Sequence, residues 1–161
     1  LALVHPDRVV KLVLASPGLT GYALKQPLTW FQPVWTAAQA GNTELAAKLW
    51  IQTPLMAIEG NPAAASRVAD IVMDNARLWS YSTNPDQPLT PPAIQRLSEI
   101  RCPVLVVLGD ADLPHIKEIG EILASGIARA QRVSIAGAHH LVSVERPDVF
   151  NTTLVSFLRR D

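Results

Sequence analysis

An excess of charge of either sign is what this chain of 161 residues most plainly lacks: 14 Lys and Arg face 14 Asp and Glu, and the formal net charge is zero. Without a basic stripe there is no electrostatic footprint for nucleic acid, so none is expected as a partner. Cysteine occurs once, at Cys102, which excludes an internal disulfide. At the head of an apolar run it reads as a buried thiol. No apolar run approaches the ~20 residues that cross a bilayer, so no membrane is expected as a partner. The opening Leu1-Ala2-Leu3-Val4-His5-Pro6 has neither a basic segment nor a cleavage site and reads as no signal peptide. A cytoplasmic location is the expectation, any signal on an upstream part being outside these residues. G-x-G-x-x-G and P-loop patterns are missing, as are H-E-x-x-H, a Cys pair and any other ligand spacing. No nucleotide cofactor and no metal is therefore expected. A G-x-S-x-G turn is missing too, and none of Ser16, Ser134 or Ser143 stands between glycines on a strand–turn–helix elbow. No serine nucleophile is visible.

What is present is a core. Hydrophobic residues make up 48% of the chain and charged ones 17%, which excludes an extended disordered segment. The length suits a domain that buries roughly 70% of its unfolded surface. Residues 9–16 (Val-Val-Lys-Leu-Val-Leu-Ala-Ser) form a short apolar run closed by Pro17 and Gly18. Residues 103–108 and 132–136 form two more, and all three read as buried strands. Between the last two, Ile116, Ile119, Ile122, Leu123 and Ile127 recur at helical spacing over Pro114 to Arg129. Pro147 opens a final helix with Val149, Phe150, Leu154, Phe157 and Leu158 on its apolar face. Strand, helix, strand, helix predicts an α/β class: part of a doubly wound parallel sheet, three strands here, with helices on its faces.

Residues 21–97 differ. They show no strand pattern, and all four tryptophans fall there. Asn42 or Thr43 caps a helix expected to run to about Glu59, and Asn61-Pro62 opens another. In that second helix Val68, Ile71, Val72, Asn75, Leu78 and Trp79 share one side, and Thr90-Pro91-Pro92 starts a short one. A helical insertion between strands of a parallel sheet predicts a lid, residues 21–97, over the C-terminal strand ends of a core made of 1–20 and 98–161. Trp30, Trp35, Trp50 and Trp79 either line a substrate pocket under it or fill the lid's own core.

Two loops carry the chemistry. Gly109-Asp110-Ala111-Asp112 ends the second run, and Gly137-Ala138-His139-His140 ends the third. An acid and then a histidine, each on a loop after a buried strand, is the second half of a nucleophile–acid–base order. Asp112 is the favoured acid with Asp110 as rival, and His140 the favoured base with His139 as rival. Either aspartate would otherwise cap its loop through backbone N–H groups. His115, after the acid loop, and Leu141, after His140, are further candidates to face the substrate, a solvated helix start being the alternative for His115.

These stretches bring a family into view. The chain resembles the C-terminal half of an α/β-hydrolase of the lid-bearing esterase and enol-lactonase kind. The match rests on His5-Pro6-Asp7-Arg8-Val9 with Leu12-Val13-Leu14, and on Arg101-Cys102-Pro103-Val104 with Gly109-Asp110-Ala111-Asp112. It rests also on Gly137-Ala138-His139-His140 with Glu145-Arg146-Pro147 and Phe150, and on a pattern of four helices around residues 27–97. The resemblance implies that Asp112 orients His140, that His140 is the general base of a Ser-His-Asp triad, and that the substrate is a small ester or lactone. His139 stands where the family usually shows glycine. The family's alternative acid position reads Ser16-Pro17-Gly18 here, without a carboxylate. No residue matches the family's first five strands, its oxyanion loop or its nucleophile elbow, so the chain reads as a fragment or one of two subunits, inactive alone. Its partner would be the N-terminal half of the fold, in the same or a separate chain. Self-association through the open edge of the strand at Lys11 to Ala15, giving a homo-oligomer, is the other outcome. Two rival functions stay open: an aspartate nucleophile, as in a dehalogenase or epoxide hydrolase, and a non-catalytic binding protein of the same fold.

Overall fold

Three β-branched runs meet in one parallel sheet. In the computed structural model, which describes residues 1–80 and 89–160, β1 is Leu12–Ala15, β2 is Val104–Gly109 and β3 is Ala130–Ile135. Their order is β1-β2-β3, with Leu12 opposite Val104, and Val104 in turn opposite Ala130. Each expected strand is present, parallel to its neighbour, and the strand before the histidine loop lies at one edge.

The central strand shows why the pattern is apolar throughout. Every residue of β2 is buried, because both of its faces are covered. Val104, Val106 and Leu108 pack with Ile116, Ile119 and Leu123 of α4 (Pro114–Gly126). Leu105 and Val107 pack on the other side with Val142 of α5 (Val142–Glu145) and Phe157 of α6 (Pro147–Arg159). Leu105 and Leu108 are each 1% exposed, so truncating either to Ala costs about 2–5 kcal/mol.

By contrast β1 is only half-buried, and its Ala15 is exposed. The N–H groups of Leu12 and Ser16 donate to Pro103 and Val107 carbonyls at 3.0 and 2.9 Å, so one edge of β1 is used by β2. Among the described residues no strand pairs with its other edge. A groove of about 890 Å³ runs beside it, lined by Leu1, Leu3, Val10, Leu12, Leu14 and Leu19 among others. Lys11 ties the start of β1 to the end of α6, its Nζ donating to the carbonyls of Leu158 and Arg160.

The chain divides into two units, Leu1–Ala23 with Pro88–Asp161, and Leu24–Gln87. The second has no strand among its described residues and is built on α1 (Gln32–Gln39), α2 (Thr43–Ile51) and α3 (Pro62–Asp74). Both expected caps form: the Asn42 side chain accepts from Leu45 N–H and that of Asn61 from Ala64 N–H, each at 3.1 Å.

Three helix lengths differ from expectation. α2 stops at Ile51 instead of about Glu59, because Pro54 lacks an N–H and disfavours helical geometry at Thr53; only a 3₁₀ turn, Pro54–Met56, follows. α3 stops at Asp74, where Asn75 turns its side chain back to the Ile71 carbonyl at 2.8 Å and ends the helix. Leu78 and Trp79 therefore lie on a 3₁₀ segment, Ala76–Ser80, and Ile71 and Leu78 stay exposed. The helix opened by Pro114 ends at Gly126 rather than Arg129, as Ile127 turns extended into β3. In place of the short helix after Thr90 there are two 3₁₀ turns, Ala93–Gln95 and Leu97–Glu99.

Candidate active site

The site is made where β2 and β3 end side by side. Past Gly109 the chain folds back, with Asp112 N–H donating to the Gly109 carbonyl at 3.2 Å. Past Ile135, Gly137 takes a left-handed φ of 63°, which glycine adopts without strain. The two loops are then bonded to each other. Ala111 N–H donates to the Ala138 carbonyl at 3.0 Å, and Asp110 Oδ1 accepts from Gly137 N–H at 2.7 Å. Asp110 therefore ties one loop to the other, with its carboxylate on a backbone amide rather than on an imidazole.

Asp112 and His140 face each other across that junction. His140 Nδ1 lies 3.2 Å from both Asp112 oxygens, and Asp112 Oδ1 also accepts from Leu113 N–H at 2.7 Å. The aspartate side chain is fully buried, while the imidazole keeps 20% exposure. Burial alone would raise the Asp112 pKa. The His140 hydrogen bond, the Leu113 amide, the His140 charge and the Ser16 hydroxyl together outweigh it, so the carboxyl sits below its ordinary value. Ser16, at the end of β1, is 9% exposed, has φ 42° and makes no well-formed hydrogen bond through Oγ.

His139 points elsewhere. Its Nδ1 is 2.9 Å from Glu145 Oε1, and its backbone N–H donates to Oε2 at 2.5 Å. Glu145 is 2% exposed. Sequence reasoning quotes it only within the Glu145-Arg146-Pro147 stretch and assigns it no chemical part.

The remaining candidates are placed as follows. His115 lies in the first turn of α4 and Leu141 precedes α5, both half-buried. The four tryptophans are in the helical unit and pack mostly with one another and Phe31. Trp50 contacts Trp79 at 5.6 Å and Trp30 at 6.5 Å between ring centroids, and the more exposed Trp35 stacks on Phe31 at 6.5 Å. Among the described residues no group of three or more His, Cys, Asp or Glu side chains could hold a metal ion, and no helix is long and apolar enough to cross a membrane.

Chemically, an imidazole whose Nδ1–H is held by a carboxylate keeps its Nε2 lone pair free to accept a proton. The buried carboxylate fixes that tautomer and favours the imidazolium that results.

No protein-family model and no curated protein matches this chain. Solved structures do. MenH from S. aureus is 21% identical, with a TM-score of 0.69 over 94% of this chain and 59% of its own. The enol-lactonase from Burkholderia xenovorans LB400 is 23% identical, with a TM-score of 0.68 over 99% of this chain and 60% of its own. A hydrolase from Pseudomonas aeruginosa PA01 is 26% identical, with a TM-score of 0.64 over 99% and 59%. The chain thus spans less than two thirds of the length of these structures. Three parallel strands, helices on both faces and a helical insertion after the first strand give it the fold of the C-terminal part of an α/β-hydrolase.

Proposed function

We propose that this chain supplies the acid and the general base of a Ser-His-Asp hydrolase that cleaves a small ester or lactone. The observation that carries the reading is His140 Nδ1 at 3.2 Å from both oxygens of a buried Asp112, on loops at the ends of adjacent parallel strands. In this reading a serine outside these 161 residues attacks the carbonyl while His140 Nε2 takes its proton. The same imidazolium then protonates the leaving alcohol. The imidazole next takes a proton from the water that breaks the acyl–serine ester and returns it to the serine oxygen, and Asp112 holds the ring in place throughout. Backbone N–H groups of the same absent part hold the oxyanion. That part is the N-terminal half of the fold, on the same or a separate chain, and it pairs along the open edge of β1. The apolar groove there and the half-buried state of β1 support this placement. His115 and Leu141, which follow the acid and histidine loops, are the residues of the same unit assigned to the acyl or ring group. No cofactor or metal takes part.

Labelling with a fluorophosphonate, which reacts only with an activated serine, tests this. The full-length gene product should be labelled and should hydrolyse a p-nitrophenyl ester, and His140→Ala should abolish both. The 161-residue chain alone should do neither. Labelling of the short chain would place the nucleophile within these residues. A full-length product that is folded but unlabelled would sink the serine mechanism, and an aspartate at the elbow would then be sought by mass spectrometry of an ester intermediate.

A further inference from the structure

The mechanism above uses one histidine–carboxylate pair, yet the structure holds two on consecutive residues. Glu145 is fully buried as a side chain, and burying a carboxylate is costly unless it is paired. Both of its oxygens are turned onto one residue, Oε2 onto the His139 amide and Oε1 onto the His139 ring. His139 immediately precedes the proposed base. The rest of the loop is held in the same manner. Asp110 takes the Gly137 amide, Arg146 Nη2 donates to the Gly137 carbonyl at 2.8 Å, and Ala111 donates to the Ala138 carbonyl. The His139 amide belongs to the same peptide unit as the Ala138 carbonyl, so Ala111 and Glu145 hold its two ends, and Glu145 adds a hold on the His139 ring.

We infer that Glu145 is the positioning residue of His140, and that the His139 ring serves as its second handle. The inference rests on the proposed role of His140. Holding the His139 amide fixes where the Cα of His139, the residue bonded to His140, sits. Holding the ring as well prevents rotation about the His139 side chain that would release the carboxylate. A bidentate grip through one residue restrains the loop more tightly than a single amide bond. Glu145 touches no reacting atom in this scheme and acts only through the backbone of the next residues.

The readout is the His140 Nδ1 proton, which a hydrogen bond to carboxylate moves downfield and protects from exchange. It is read by proton–nitrogen NMR on the full-length gene product and needs no turnover, so its failure and the failure of the hydrolase reading are separate results. Asp112→Asn assigns the resonance by removing it. Glu145→Met, close in volume but without acceptors, should speed its exchange at least about tenfold in a chain that still melts cooperatively. Glu145→Gln keeps an acceptor for the His139 amide and should restore most of the protection. His139→Ala leaves the amide grip and should give an intermediate rate. Unchanged exchange in folded Glu145→Met would overturn the inference. Should Glu145→Met not fold, unchanged exchange in His139→Ala would overturn it too. So would a folded wild-type chain with no such proton, since His140 would then not be held at all.

Discussion

Adding one methyl group at Gly109 should pull the acid and base loops apart. A Cβ built there would lie 2.0 Å from the Ala138 carbonyl oxygen and 2.3 Å from that of His139. Ordinary contact begins at 3.4 Å, so the nearer oxygen must retreat by about 1.4 Å, the difference between 3.4 and 2.0. The strand cannot give way instead. Gly109 ends the fully buried central strand and is in register with Ile135 of β3. The loop must therefore move, and with it the Ala138 carbonyl that accepts from Ala111 N–H at 3.0 Å. His140 is two residues farther along, and its 3.2 Å contacts with Asp112 do not survive a displacement of that size. Overpacking of this kind costs about 1–3 kcal/mol. For a chain of this length that lowers Tm by roughly 3 °C per kcal/mol. In a complete, active enzyme a misplacement near 1 Å would lower turnover by about 10²-fold. The assay is a thermal melt of Gly109→Ala beside Gly18→Ala, where nothing lies within 4 Å of an added Cβ, together with the His140 Nδ1 proton spectrum. A Gly109→Ala chain that melts with wild type and keeps that proton would refute the reasoning.

How much of this is legible in the sequence depends on how far each feature reaches along the chain. The sheet is legible because β2 is buried on both faces, so Val104 to Leu108 are apolar without interruption and the breakers Gly109 and Pro103 close them off. The order acid loop then histidine loop follows from strand order, and it puts Asp112 near His140 without any distance being known. Helix ends are less legible. Asn42 and Asn61 announce starts, but Pro54 and Asn75 decide stops against an apolar pattern that reads on past them. Features that depend on a close approach of two segments leave no local pattern at all. The tight fit of Gly109 against Ala138 is one, the left-handed Ser16 at the end of β1 is another, and the grip of Glu145 on His139 is a third. Each involves one ordinary residue whose meaning lies in what faces it. The second histidine shows the point best: in sequence His139 and His140 are rivals for one role, and in space they face different carboxylates.

Three further outcomes are expected. Asp110→Asn should leave the His140 Nδ1 proton in place while lowering the melting temperature by a few degrees, because its Oδ1 supports the Gly137 amide, a bond worth about 1.5–3 kcal/mol when the acceptor is charged; loss of that proton would make Asp110 a partner of the imidazole after all. Ser16→Gly should stabilise the fold by about 1 kcal/mol in urea melts, since it relieves a left-handed φ of 42° and removes a buried hydroxyl without a well-formed bond; a destabilised variant would mean that the hydroxyl is held more tightly than its geometry suggests. The last concerns pH. The Asp112 carboxyl titrates below its ordinary value in the folded chain, so it binds its proton more weakly there than in the unfolded chain, where the value is about 3.9. Its ionised form therefore contributes stability that is fully present above the unfolded value and is lost as pH falls through the folded one. Urea melts of wild type and Asp112→Asn at several pH values isolate this contribution, because other carboxylates titrate alike in both. The wild-type advantage should shrink steadily as the pH is lowered from about 4 to 2. An advantage that does not change over that range, or one that grows on acidification, would show that the bonds from His140 and Leu113 do not favour the ionised carboxylate.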